Sequence, residues 1–150
     1  MATIHFMHGF IACGKSTYAK KLARELGIPR VARDDICMEI KGRPIFEFDT
    51  ETRRELMDMT RARVAEIVKD GKDVVFDMGN WTRASRDENR KWAKSLGADY
   101  KFYSMKCTPE TALKRSAARD DGYPPERFAE QFKRFEPMQA DEEFVEVDSE

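Results

Sequence analysis

The chain has 150 residues, 41% of them apolar and 37% charged, with a formal net charge of −1. This length fits a single domain spanning residues 1–150 with a real core. Its apolar runs are far shorter than a membrane span, and Met1–His5 lacks the charged segment and long apolar core of a secretory signal, so a cytoplasmic protein without a membrane partner is expected. Three widely spaced cysteines (Cys13, Cys37, Cys107) point to a reducing compartment and to neither a disulfide framework nor a zinc site. The last ten residues carry six acids and no base, which leaves residues 1–140 at +5. The overall balance therefore decides nothing about partners.

An apolar run, Thr3–Met7, predicts a first strand. The segment that follows it, Gly9-Phe10-Ile11-Ala12-Cys13-Gly14-Lys15-Ser16-Thr17, opens a helix expected over Lys15–Leu26, which Gly27 stops. This is G-x-x-x-x-G-K-[ST] in the strand–loop–helix setting the motif requires. Glycines let such a loop turn its N–H groups inward at a helix N-terminus, which makes an anion cradle. Lys15 would reach the outer phosphates and the Ser16 hydroxyl would take a place on Mg²⁺. A nucleoside triphosphate site is the reading. Within the loop, Cys13 is read as a tolerated small residue, with a reactive thiol as the lesser alternative.

Pro29–Ala32 predicts a short second strand, delivering Arg33, Asp34 and Asp35 to its C-terminal end. A brief helix over Ile36–Ile40 should follow, with one of the two aspartates as its cap. Residues 41–48 read as loop. Asp49 or Thr50 then caps a long helix to Asp70, with Leu56, Thr60, Val64, Ile67 and Val68 at helical spacing. Asp73–Asp77 is a buried-type strand ending in a carboxylate, and a helix from the Asn80–Thr82 region reaches Leu96. A strand over Tyr100–Cys107 follows, then a helix with Thr108 as cap and Pro109 in its first turn, running to Ala118. The stretch 120–124 is a turn-rich loop, Pro125–Phe135 a final helix and Phe144–Val147 an edge-like strand. Strands alternating with helices imply a doubly wound, parallel α/β domain.

In such a sheet, ligands sit beyond the carboxyl ends of the strands. The phosphate loop, Asp34/Asp35 and Asp77 would therefore converge on one crevice. Phosphoryl transfer needs a carboxylate to position and deprotonate the acceptor hydroxyl, a task for Asp34 or Asp35, and a Mg²⁺ anchor, to which Asp77 could contribute directly or through water. Arg115 and Arg119, four residues apart, are expected on one helix face before a mobile loop, neutralising the transferring group. Arg53, Arg54, Arg61 and Arg63, with Arg83, Arg86 and Arg90, are weaker candidates for a phosphorylated acceptor. Exposed arginines are more often solvated charge. Trp81 is read as packing the helix entrance before a base-stacking role, and His8 as shaping the phosphate loop.

Taken together, Gly9–Thr17, Arg33-Asp34-Asp35, the strand ending at Asp77 with Asn80 after it, Trp92-Ala93-Lys94 before Gly97 and Leu113-Lys114-Arg115…Arg119 resemble the small P-loop kinases that include the 5′-kinase domain of phage polynucleotide kinase. The resemblance implies a three-layer P-loop NTPase fold with strand order 2-3-1-4-5 and helices on both faces. It also implies ATP and Mg²⁺ as cofactors, Asp34 as general base, Arg119 as lid arginine, and Lys15 and Ser16 in their usual roles. Three residues beyond the base aspartate the polynucleotide kinase has an arginine where this chain has Cys37, so a nucleic-acid acceptor does not follow from that position. The expectation is an ATP-dependent kinase acting on a hydroxyl of a nucleic-acid 5′ end, a nucleotide or a small molecule. The competing classes are an NTPase switch, for which no guanine-specificity motif is present, and a nucleotide-binding module without turnover.

Overall fold

A computed structural model describes residues 1–119 and 123–149. Five strands form one parallel sheet: β1 (Thr3–His8), β2 (Arg30–Ala32), β3 (Val74–Asp77), β4 (Asp99–Lys106) and β5 (Val145–Asp148), in the order β2-β3-β1-β4-β5. Strand β1 is central, pairing with β3 from Ile4↔Val74 and with β4 from Thr3↔Asp99. Parallel strands need covered faces, and the alternation along β1 supplies two. Ile4 and Phe6 join Val74, Phe76 and Phe102 on one side, while Met7 joins Val75 and Tyr103 on the other.

Helices α1 (Lys15–Leu26), α2 (Arg33–Lys41), α3 (Thr50–Lys69), α4 (Arg83–Ser95), α5 (Pro109–Ala118) and α6 (Pro125–Phe132) cover these faces. Leu56, Val64 and Val68 of α3 and Ala93 of α4 close the first core; Ala19, Leu22 and Ala23 of α1 close the second. Three helix starts are fixed by side-chain oxygens that accept backbone N–H bonds: Asp49 from Thr52, Thr82 from Ser85 and Thr108 from Thr111. No helix among the described residues is long and apolar enough to cross a membrane.

The expected start of α2 is corrected. The helix begins at Arg33, directly after extended Ala32, which occupies the cap position without a side-chain bond. Asp34 and Asp35 therefore lie in the first turn, where the helix dipole favours acids, and neither is a cap. Helix α6 ends at Phe132, three residues before Phe135. Residues 120–122 of the expected 120–124 loop lie outside the described residues.

Candidate active site

The carboxyl ends of β1, β2 and β3 open into one cleft of about 980 Å³, large for a small-molecule site. Phe10, Ile11, Ala12, Gly14, Lys15, Ser16 and Thr17 line it, while Gly9 and Cys13 stand behind the loop. The loop backbone has the shape of an anion cradle. Ala12 (φ 62°) and Gly14 (φ 80°, ψ 12°) are both left-handed, and Gly14 caps α1 without any side-chain bond. The first N–H groups of α1 are thus not taken by a capping side chain, and no acid sits in its first turn. A left-handed alanine costs roughly 1 kcal/mol. That strain is held in place from behind: the Gly9 N–H donates to the Gly79 carbonyl at 3.1 Å, the Trp81 Nε1–H donates to the Gly9 carbonyl at 3.2 Å, and the Ser149 hydroxyl donates to the Cys13 carbonyl at 2.8 Å.

The two aspartates after β2 differ sharply. Asp35 is engaged by Arg30 Nη1 at 2.6 Å. Asp34 is exposed, and its nearest cationic partner is Arg33 Nε at 3.8 Å, beyond hydrogen-bond length. Asp34 is the carboxylate left available to a ligand. Arg30 also grips Asp77, donating from Nε at 2.9 Å and Nη2 at 2.7 Å, both to Oδ2. Burial alone would lower the affinity of Arg30 for its proton, but the two carboxylates more than offset it and raise it. Oδ1 of Asp77, in the cleft wall, is buried and accepts no hydrogen bond. An orphaned carboxylate oxygen on a residue that lines the same cleft as the phosphate loop fits a hydrated divalent cation. No group of three or more His, Cys, Asp or Glu forms a metal cage among the described residues. Mg²⁺ at a triphosphate site needs no such cage, because it relies on one or two protein oxygens, water and phosphates. Ser16 lines the same cleft.

Arg115 and Arg119 both line the cleft, though not as one helix face: α5 ends at Ala118 and Arg119 is extended. Arg115 reaches over Gly14, donating to the Ser149 carbonyl and approaching Cys107 Sγ at 3.8 Å. The cleft is lined by nine basic and four acidic residues, against a chain that carries −1 overall. Positive charge is therefore concentrated where phosphates would sit.

Several arginines proposed as acceptor contacts are committed elsewhere. Arg86 is fully buried and donates from Nε and Nη2, each at 2.8 Å, to the buried Glu142; Arg90 bonds to the same carboxylate. Arg83 pairs with Asp87 and Asp141, Arg61 with Glu88 and Arg63 with Glu39. Of the seven, only Arg53 lines the cleft. The buried network has a different role. Arg86 Nη1 donates to the carbonyls of Asn80, Trp81 and Glu136, and Asn80 (φ 50°) donates to the Met7 carbonyl at 2.8 Å. It fixes the wall behind the phosphate loop, on which Trp81 packs against Phe10. His8 is buried, bonding Ser104 and the Glu136 carbonyl, so it braces the loop's base. The sequence reading missed Arg30, Arg127 and Arg134 in the cleft. A basic residue opening β2 was the one available signal for Arg30.

A family model described as "AAA domain" matches residues 4–138. A shikimate kinase of Rhodopirellula baltica is 35% identical over 93 residues, covering 61% of this chain and 49% of that protein. A protein of Autographa californica nuclear polyhedrosis virus, named for both polynucleotide kinase and RNA ligase activities, is 28% identical over 152 residues, covering 93% of this chain and 22% of that one. The chain thus spans about half or less of the length of these relatives. Among solved structures, a gluconokinase from Sinorhizobium meliloti 1021 superposes with a TM-score of 0.69 at 19% identity, covering 99% of this chain and 82% of that one. This likeness bears out the three-layer P-loop fold with its strand order.

Proposed function

The chain belongs to the AAA domain family, and on that premise we propose that it is a phosphotransferase moving the γ-phosphoryl group of ATP to a hydroxyl acceptor. One observation carries the reading: the exposed Asp34 opens into the same cleft as an uncapped phosphate loop, while its neighbour Asp35 is held by Arg30.

The acceptor hydroxyl hydrogen-bonds to an Asp34 carboxylate oxygen, which orients its lone pair toward the γ-phosphorus and takes its proton as the new O–P bond forms. The bond between the γ-phosphorus and the bridging oxygen breaks, and its electron pair leaves with ADP. The N–H groups at the start of α1 hold the phosphate chain, and Lys15 adds a positive charge at its outer end. Arg115, which reaches over Gly14, and Arg119 also line the cleft and offset charge on the transferring group. Ser16 and Asp77 are the residues that would hold Mg²⁺, which supplies charge neutralisation to the phosphates when bound. The names of the relatives, a shikimate kinase and a polynucleotide kinase, support a hydroxyl acceptor and leave its size open.

The test is ADP formation with a panel of hydroxyl compounds and oligonucleotide 5′ ends, for the native protein and Asp34→Asn. An acceptor-dependent rate that falls on the order of 10²–10⁴-fold in the variant, with ATP affinity unchanged, is expected. ATP consumption indifferent to every acceptor and to Asp34→Asn would defeat the proposal and favour an NTPase.

A further inference from the structure

Arg30 opens β2 and Asp77 closes β3 beside it, two register positions further on: Arg30 stands opposite Val75, and Ala32 opposite Asp77. Residues two apart share a face of a strand, so the Arg30 side chain runs about 6–7 Å along β2 to meet the Asp77 carboxylate. Both side chains are largely out of water, at 13% and 1% exposure. Both donors of the Arg30 fork land on one oxygen, Nε at 2.9 Å and Nη2 at 2.7 Å from Oδ2. Oδ1 is buried without a partner, the one oxygen in that position among the described residues. Such an atom is rare in folded proteins and calls for an explanation.

Another buried arginine–carboxylate pair in the molecule provides the contrast. Arg86 gives Nε to Glu142 Oε2 and Nη2 to Oε1, each at 2.8 Å, so both oxygens are closed. Two parallel bonds, one donor to each oxygen, make the ordinary and stronger fork. A slight tilt of the Arg30 guanidinium would convert its pair to that form and close Oδ1. The third donor opposes the tilt, because Nη1 is held by Asp35 Oδ2 at 2.6 Å. The Asp35 side chain is 62% exposed, so this bond adds little to folding, and its effect is on the angle of the fork. We propose that Arg30 and Asp35 are positioning residues that hold Asp77 with Oδ1 open, ready to accept from a water of a hydrated divalent cation on the nucleotide. This rests on the phosphotransferase reading above, in which Asp77 helps to hold Mg²⁺. Asp35 follows Asp34 in the first turn of α2. One guanidinium thus ties the carboxylate on the metal side to the turn that presents the carboxylate on the acceptor side.

The test is titration of Mn²⁺ into the protein–ADP complex, read by electron paramagnetic resonance, with Mn²⁺–ADP free in solution as the reference. Native protein is compared with Asp35→Ala and Asp35→Asn. Both substitutions remove the charge, but the Asn side-chain oxygen still accepts from Nη1. Mn²⁺ affinity should fall about tenfold or more in Asp35→Ala and no more than about threefold in Asp35→Asn. Metal-free ADP affinity and melting temperature should stay close to native in both, which excludes a loss through misfolding. Equal losses in the two variants would reduce the effect to charge and overturn the positioning role. So would an unchanged affinity in Asp35→Ala, or a native complex that binds no Mn²⁺ beyond the ADP reference. If ADP does not bind the native protein, the nucleotide reading fails instead, and the arginine side-chain NMR spectrum decides the hold on Asp77 by itself. Hindered rotation gives Arg30 separate Nη signals. Their coalescence in Asp35→Ala but not in Asp35→Asn upholds the hold, and a spectrum indifferent to both substitutions refutes it.

Discussion

Replacing Glu142 by Gln should destabilise the protein by about 3–5 kcal/mol, the cost of breaking a buried ion pair from one side. Glu142 has no exposed side-chain surface, and neither has its partner Arg86. Its carboxylate receives two bonds from Arg86 at 2.8 Å each, one from Arg90, and the Gln139 N–H at 3.0 Å. Gln can replace only part of this set, and it leaves the Arg86 charge buried without its counter-charge. Typical domains are stable by about 5–15 kcal/mol, so the loss is a large fraction of the whole. For a chain of this size it corresponds to a melting temperature lower by roughly 6–20 °C. Urea unfolding of native, Glu142→Gln and Asp141→Asn proteins provides the assay. Asp141 is the exposed control, pairing with Arg83 on the surface, and should cost no more than about 1 kcal/mol. Equal, small losses in both variants would refute the claim that Arg86 and Glu142 form a dry, structure-bearing pair. The pH dependence has a definite sign. Burial alone would raise the Glu142 value, but the Arg86 and Arg90 bonds outweigh it and hold it far below the usual carboxylate range. Its stabilisation is therefore complete above the unfolded glutamate value, near pH 4.3, and is lost as pH falls below that.

His8 should show an acid effect in a separate window. Burial, opposed in part by its bond to the Glu136 carbonyl, lowers it from 6.5 to about 4. Between those values the unfolded chain binds more protons, so stability is full above pH 6.5 and about 2.5 kcal/mol smaller at pH 4.5. Its ring proton resonance should stay at the neutral position down to pH 5; a midpoint near 6.5 would contradict the buried placement. The cysteines should differ in reactivity. Burial, reinforced by neighbouring Cys107, pushes the Cys13 thiol up to about 12, and burial raises Cys37 as well, while Cys107 is the more exposed of the three. At pH 8 one equivalent of thiol should react quickly with a disulfide reagent, and the other two only as the protein unfolds. Two fast equivalents would mean that the loop opens in the native state.

Much of the donor side was legible in the sequence because its determinants are contiguous. Nine residues, Gly9–Thr17, contain the turn, the cation and the hydroxyl, and the flanking apolar run and helix start set the loop's place at a strand end. The helices capped by Asp49 and Thr108 were legible for the same reason, since a cap and the N–H group that donates to it lie within one turn. What escaped was long-range pairing. Nothing local distinguishes Arg86, buried on Glu142 56 residues away, from Arg83, half-solvated three residues earlier. The acidic end of the chain was legible only as a charge count, yet Glu142 within it is a core residue. The same limit hid Arg30, whose partner Asp77 is 47 positions downstream. Misplacing the start of α2 had a different cause: aspartate suits both a cap and a first turn, and composition alone does not choose between them.

The Ser149 hydroxyl on the Cys13 carbonyl joins positions 136 apart. The phosphate loop is synthesised before one of its braces, which comes 136 positions later in the sequence. At about 5–20 residues per second, roughly 7–27 s separate the two. A nascent chain thus carries the residues for gripping phosphate well before it carries the means to hold them in shape. During synthesis, nucleotide binding by this fold should be a late event, arriving with the closing strand of the sheet.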